Sequence, residues 1–465
     1  MVSVSHVRLA LMWSAAVAVP AAALAQSAAA PAPTNILPPE RAIEQQSVEA
    51  DFDAVVTQSA PQAPAAAEPA TVQPPMVQPW SVEKAGKLLA AAEAIGAHGL
   101  DPADYRLGLL RTAIAGGAGG ALDTEASRVF QWLIEDLRDG RTPMDSRKQW
   151  FVMDPDADRF PTSTLMAQAL ASGDIAAVLE SVAPVHPDYA KLRAELAATP
   201  AADKGKRQLI RANLDRWRWL ARDLGSQYLI TNVPEYQLRL TVNDKIVRTY
   251  RTIVGKPGRT ATPQLAESVE GVIFNPTWTV PQSIVKGEGL GARVLGNPAW
   301  AKRAGYTATR GANGFVTVVQ QPGPGNSLGF MKLDMPNRHA IFLHDTPNRN
   351  LFASAARALS HGCVRTERAT ELAMTLSILQ AGLTAEEGAA KLKSGKYTRV
   401  PFTKKMPVYI TYFTYGTDID GKLRGFGDIY GRDGAVLASL DAPRVANRPR
   451  VTDEEVIEIL DDPRV

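Results

Sequence analysis

Between residues 80 and about 225 the apolar positions recur at helical spacing. Val82, Ala85, Leu88, Leu89, Ala92 and Ile95 fall three or four residues apart, which puts them on one side of a helix. Phe130, Leu133, Ile134 and Leu137 repeat the stripe, with Gly140 placed to stop the helix. Leu209, Ile210, Asn213, Leu214, Trp217 and Leu220 form a third stripe on a strongly basic helix, whose Asn213 and neighbouring arginines read as structural. After Leu224-Gly225 the period shortens. Tyr228 to Ile230, Tyr236 to Leu240 and Ile246 to Val254 read as strands joined by Asn-Val-Pro and Asn-Asp turns, and Val272 to Phe274 continues the series. Residues 282–330 are glycine-rich and irregular, with a short helix expected near Pro298 to Arg303. Such a long excursion between strands is usually functional. Ala340 to Leu343 reads as a short strand and Val408 to Phe413 as a late one. Between them Glu367 to Leu379 reads as a helix with Ala369, Leu372, Ala373, Leu376 and Leu379 on one face. The pattern predicts an α+β chain, with a helical domain over 80–225 and a β-rich domain over 226–440 that carries an insertion near 285–330.

The two ends read differently. His6 and Arg8 precede an apolar run from Leu9 to Leu24, and Ala23-Leu24-Ala25 fits a small-x-small cleavage site before Gln26. The run is short and broken by Ser14 and Pro20, which favours a cleaved signal peptide over 1–25 rather than a membrane anchor. Nothing later is long and apolar enough to span a bilayer, so an exported, periplasmic protein is expected. Residues 26–79, rich in Ala, Pro and Gln, read as a disordered linker, and 441–465 as a charged, uninformative tail. A length of 465 residues suggests two or three domains, and a net charge of +3 leaves no broad footprint for nucleic acid.

The chain has one cysteine, Cys363. In an oxidising compartment a lone thiol is either an inert buried residue or a reactive one, and its neighbours decide. They are Ser360-His361-Gly362-Cys363-Val364-Arg365, with Phe342-Leu343-His344-Asp345 upstream. A thiol nucleophile needs a base, a setting that favours thiolate, and donors for an oxyanion. His344 at a strand end suits the base. Gly362 permits a tight backbone whose N–H groups can face a reacting carbonyl. Arg365 adds positive charge, and a helix starting near Thr366 would aim its positive end at the cysteine. The rival reading is zinc held by His344, His361, Cys363 and Asp345, but their spacing matches no common zinc pattern, so neither metal nor cofactor is expected. His98, His186 and His339 are isolated and read as surface or turn residues, and Gly287, Gly289 and Gly291 open no nucleotide-binding unit.

His344 followed by Ser360-His361-Gly362-Cys363-Val364-Arg365 resembles the active-site signature of the L,D-transpeptidases, the YkuD-type catalytic domain. Asn275-Pro-Thr-Trp278-Thr-Val-Pro281, the stretch Gln321 to Gly329, Leu343 to Pro347 and Asn213 to Trp219 resemble its large, YcbB-type branch. The resemblance implies a mixed β-sandwich with a mobile lid, Cys363 as nucleophile, His344 as base, and His361 and Gly362 shaping the oxyanion and thiolate surroundings. It implies substrate binding by Arg365, Ser360, Phe342, Trp278 and Asp345. It further implies that the thiol attacks the diaminopimelate–D-alanine bond of a peptidoglycan tetrapeptide stem and passes the acyl group to a second stem, making a 3→3 cross-link. A free D-amino acid, an outer-membrane protein or water are alternative acceptors. A non-catalytic wall-binding scaffold and a general cysteine protease are the other classes considered; the first would have little need of His344 with Cys363, and the papain-like surroundings of the second are missing. Relatives in this branch often insert a peptidoglycan-binding module where only Ala197 to Lys206 stands here. Recognition would then fall to the cleft, a lid of low local stability, and the basic helix around Arg211, Arg216 and Arg218.

Overall fold

The computed structural model describes residues 76–152, 160–446, 448–450 and 452. The expected signal peptide and nearly all of the linker lie outside them. The described residues belong to one compact unit, Ala60–Val465.

Helices α1 (Val82–Glu93), α2 (Leu107–Ala115), α3 (Gly120–Asp139), α4 (Thr162–Ser172) and α5 (Ile175–Ser181) bury their stripes in a common core. Leu88, Leu110, Leu122, Phe130 and Leu133 are wholly enclosed there. Gly140 ends α3 with φ near 85°, and a Cβ at that position would stand 2.5 Å from the Trp219 ring, so the stop is also a close packing point. Helices α6 (Pro187–Ala198) and α7 (Lys204–Arg218) form a second core with β1 (Gln227–Asn232). In it the Trp217 ring is stacked between His186 at 4.4 Å and Phe413 at 4.7 Å. The basic helix is not a free cationic face. Arg216 is buried against Asp433 at 2.6 Å and Arg218 against Asp215 at 3.0 Å, which removes both from the wall-contacting role expected of them. Nature keeps such charges inside only when they are paired.

The β-rich part continues with β2 (Gln237–Val242), β3 (Lys245–Gly255) and β4 (Leu265–Phe274). Asn243 and Asp244, both at positive φ, make the tight β2–β3 turn that the Asn-Asp pair announces. Next comes the insertion: β5 (Trp278–Thr279), α8 (Leu290–Gly296), α9 (Pro298–Arg303), β6 (Tyr306–Arg310) and β7 (Val316–Gln320). The chain then returns as β8 (Met331–Asp334), β9 (Leu343–His344), β10 (Ala358–Ser360), β11 (Val364–Thr366), α10 (Ala369–Ala381), α11 (Ala385–Lys393) and β12 (Thr398–Thr411). A hairpin of β13 (Tyr415–Thr417) and β14 (Leu423–Gly425) and helix α12 (Asp433–Asp441) close it. Among the described residues nine strands form one mixed sheet, ordered β10-β3-β11-β9-β8-β4-β12-β1-β2. Because β2 also pairs with β3, the sheet curls round its core, where Val272, Leu333, Leu343, Val364, Leu372 and Leu376 are fully buried. The fold is thus the α+β architecture expected from the pattern.

Several expectations need correction. The insertion is not an irregular loop. Strands β5, β7 and β6 make a separate three-stranded sheet, and Val280, Val285, Val294, Ala301 and Val318 are buried as a small core of their own. Ala340, at φ 51°, lies outside β9, and Leu379 on α10 is half-exposed rather than on the buried face. The tail begins as structure: Arg444 is buried against Glu135 and Asp136 of α3, over the Trp132 ring.

The isolated histidines are interior or capping groups. His98 is buried between Tyr189 and Glu180, both at 3.0 Å, and His339 against the Phe151 ring. His186 caps α6 by accepting from the Asp188 N–H and contacts the Tyr228 hydroxyl at 3.0 Å. Desolvation, first of all, pushes His98 and His339 each down to about 4. A histidine whose pKa is depressed by folding stabilises the fold above its unfolded pKa of about 6.5 and loses that contribution as pH falls through the folded value. Protonation should therefore cost on the order of 2 kcal/mol for each between about pH 7 and 4.5. Thermal melts at the two pH values should show Tm falling by several degrees; an unchanged Tm would contradict the assignment.

Candidate active site

Strand β9 lies between β8 and β11. Arg365 of β11 and Lys332 of β8 both stand opposite His344. Leu343, Val364, Met331 and Leu333 are fully buried in the core, so strand alternation puts Lys332, His344 and Arg365 together on the other face. Cys363 immediately precedes β11, two residues before Arg365 in the same alternation. Parallel pairing of two short strands thus brings the thiol and the imidazole of the motif to one sheet face.

His344 is 5% exposed. Its Nδ1 lies 2.5 Å from the Asp345 carbonyl oxygen, which can only accept, so Nδ1 carries the hydrogen and Nε2 is left with a lone pair. Burial, then the Arg365 charge, with a smaller push from Lys332, take its pKa down to about 3, against the Asp345 hydrogen bond. Cys363 is partly exposed, and its Sγ donates to the Ala340 carbonyl at 3.7 Å. Burial raises the thiol pKa; a backbone hydrogen bond with Phe342 and the charges of Lys332 and Arg365 work against that rise. Both shifts favour the neutral forms, a thiol and an imidazole, at neutral pH. The electropositive setting is present, but desolvation outweighs it. The helix expected to assist does not: α10 starts at Ala369, beyond the far end of β11, about 10 Å of strand away from the thiol.

A raised thiol pKa sets a testable sign. Alkylation of Cys363 by iodoacetamide should keep accelerating as pH rises beyond about 8.5, the ordinary thiol value. A plateau already reached near pH 6 would mean a preformed thiolate–imidazolium pair and would contradict the geometry.

The turn before the cysteine is tied internally. Ser360 is buried; its Oγ accepts from the Gly362 N–H at 3.2 Å and donates to the Cys363 carbonyl at 2.6 Å. Gly362 takes φ 120°, a region that glycine tolerates and side chains do not. Its N–H, expected to face a reacting carbonyl, is used inside the turn. The Cys363 N–H, by contrast, makes no hydrogen bond among the described residues.

The other expected residues sit around this centre. His361 stands half in solvent with Nε2 3.4 Å from Oε1 of Glu288, so it faces the insertion. The Phe342 ring lies under the Lys332 ammonium at 3.4 Å. Trp278 is partly buried at the root of the insertion, packed on its small core. Asp345 is buried, accepting from the Phe330 N–H at 2.9 Å and from Arg349 at 3.0 Å. It therefore fastens the returning end of the insertion beside the site. Gly329 allows that approach, since a Cβ there would lie 2.4 Å from Asp345 Oδ2. Lys332 was not anticipated. The alternation Met331-Lys332-Leu333 puts it opposite the core, but only the strand register sets it against His344. No cluster of three or more His, Cys, Asp or Glu suited to a metal ion occurs among the described residues.

Comparison with known proteins adds the following. Residues 226–410 match the family YkuD, described as an L,D-transpeptidase catalytic domain, and residues 79–196 match a family described as a scaffold domain. A putative L,D-transpeptidase of Haemophilus influenzae is 32% identical over 220 residues. That alignment covers 44% of this chain and 44% of the relative, so the chain spans less than half the length of the curated relative it matches. Among solved structures, an L,D-transpeptidase from Mycobacterium smegmatis is 12% identical, covering 40% of this chain and 58% of its own, with a TM-score of 0.20. An LD transpeptidase in complex with imipenem is also 12% identical, covering 40% of this chain and 59% of its own, again with a TM-score of 0.20.

Proposed function

We infer that this chain, which carries a YkuD-type L,D-transpeptidase catalytic domain at 226–410 and a scaffold domain at 79–196, is an exported peptidoglycan L,D-transpeptidase working through a thioester on Cys363. The observation that carries the reading is the pairing of β9 with β11: it sets a neutral imidazole, its Nε2 free to take a proton, on the same sheet face as the thiol.

The donor is a tetrapeptide stem. Sγ adds to the carbonyl carbon at the L-centre of diaminopimelate while Nε2 of His344 takes the thiol proton. The oxygen becomes an oxyanion, for which the Cys363 N–H is the local donor. Collapse breaks the C–N bond, and D-alanine leaves with the proton His344 held. An amine of a second stem then loses a proton to His344 and attacks the thioester. The new amide forms a 3→3 cross-link, and the proton returns to sulfur. Lys332 and Arg365, in the same row, suit the carboxylates of the stem. A D-amino acid, the amine of an outer-membrane protein, or water could resolve the same thioester. With Arg216 and Arg218 buried, and only residues 199–203 between α6 and α7, wall recognition rests on the cleft and its lid.

Imipenem tests the acyl-enzyme directly. Its strained lactam carbonyl accepts the thiolate, the ring C–N bond opens, and the nitrogen takes the proton. Intact-protein mass spectrometry should show one drug mass added, mapping to Cys363. No adduct, or one mapping elsewhere, would sink the reading.

A further inference from the structure

The Cys363 N–H shares a peptide plane with the Gly362 carbonyl, and in a trans peptide the two point in opposite directions. Whatever fixes that carbonyl therefore aims the oxyanion donor. Thr262 fixes it. Its side chain is fully buried, and Oγ1 donates to the Gly362 carbonyl at 2.7 Å while accepting from the Gly255 N–H at 2.8 Å. The hydroxyl's donor and one of its two acceptor sites are engaged, on two different backbone groups, which fixes its rotamer. Tyr430 fixes Thr262 in turn. Its hydroxyl accepts from the Thr262 N–H at 3.2 Å and donates to the Gly255 carbonyl at 2.6 Å. Gly255 must be glycine for this junction to close, since a Cβ would lie 1.9 Å from the Thr260 carbonyl oxygen.

The strut continues away from the site. The Tyr430 ring stacks on Tyr412 at 5.6 Å, and the Arg432 guanidinium lies 4.9 Å from both ring centres. The Tyr412 hydroxyl accepts from the Tyr430 N–H at 2.7 Å and donates to Asp428 at 2.6 Å. Asp428 also accepts from the Asp433 N–H at 2.9 Å, and Asp433 pairs with Arg216 of α7. A chain of buried and partly buried polar contacts thus runs from α7 to the nucleophile's peptide plane. It passes through residues 412–433, which lie beyond the matched catalytic segment.

We propose that Thr262 and Tyr430 are positioning residues that aim the Cys363 N–H at the oxyanion, and that helix α7 and the segment after β12 serve the active site through them. This rests on the acyl-enzyme reading above. The test compares two reactions of the same sulfur in the full chain. Acylation by imipenem passes through an oxyanion; alkylation by iodoacetamide, a displacement at saturated carbon, does not. Thr262→Val should slow acylation about 10- to 100-fold, less than the loss of an oxyanion donor outright. Tyr430→Phe, which keeps the ring stack, should slow it about 3- to 10-fold, and Thr262→Ser should restore it to within about twofold. Alkylation at one pH should stay within about twofold of the parent in all three. Acylation unchanged in Thr262→Val, or acylation and alkylation falling together, would overturn the proposal. A parent protein that takes no imipenem on Cys363 would overturn the acyl-enzyme reading and this proposal with it, whereas a normally acylating parent beside an unaffected Thr262→Val would overturn this proposal alone.

Discussion

Replacing Cys363 by alanine should abolish acyl transfer, by roughly 10⁴-fold or more, while leaving the fold in place. No other thiol exists in the chain to substitute for it. The side chain is small and partly exposed, with a long contact of 3.7 Å to the Ala340 carbonyl and a backbone hydrogen bond with Phe342, so its loss opens little space. The turn is held by other atoms: Ser360 Oγ on the Gly362 N–H and the Cys363 carbonyl, and Thr262 Oγ1 on the Gly362 carbonyl. All are retained in the variant. Acyl transfer should therefore vanish with Tm within about 2 °C of the parent. Turnover that survives in a folded Cys363→Ala protein would remove the nucleophile from the account.

His344→Ala should slow acylation by roughly 10²- to 10⁴-fold, the range for a lost general base. The resting pair is neutral, so without the imidazole the thiol proton has to leave to solvent. The variant's rate should then climb about tenfold for each pH unit until the thiol itself titrates. His361→Ala should do much less, within about tenfold, because that ring stands half in solvent beside Glu288. Single-turnover acylation measured across pH separates the two histidines. A larger loss in His361→Ala than in His344→Ala would exchange their roles.

The sequence made the helical stripes, the hairpin turn at Asn243-Asp244 and the thiol motif legible, because each is local. Stripes bury one face, paired polar turn residues tolerate positive φ, and Ser360, Gly362 and Cys363 lie within one turn. What stayed hidden depended on register or on distance along the chain. The buried valines Val280, Val285 and Val294 stand apart in the sequence, and the fold of the insertion gathers them with Val318 of β7 into a core. Thr262 is 100 residues from the carbonyl it holds, and Tyr430 is 168 from Thr262. Arg444 reads as solvated tail charge, and only its partner Asp136, 308 residues away, turns it inward. From sequence the basic helix could be read both ways, its arginines structural or a recognition face, and the burial of Arg216 and Arg218 against Asp433 and Asp215 decides for the first. The motif also suggested a thiolate-favouring site, whereas burial works against the charged forms of both Cys363 and His344.

The most direct test of the central claim is mass spectrometry of purified disaccharide-tetrapeptide incubated with the protein. A product equal to two muropeptides less one alanine, together with a transient thioester mapping to Cys363, is the predicted result; loss of alanine with water or a D-amino acid in its place would keep the thioester and change the acceptor. Unaltered tetrapeptide in the presence of folded protein, or the same products from Cys363→Ala, would contradict it.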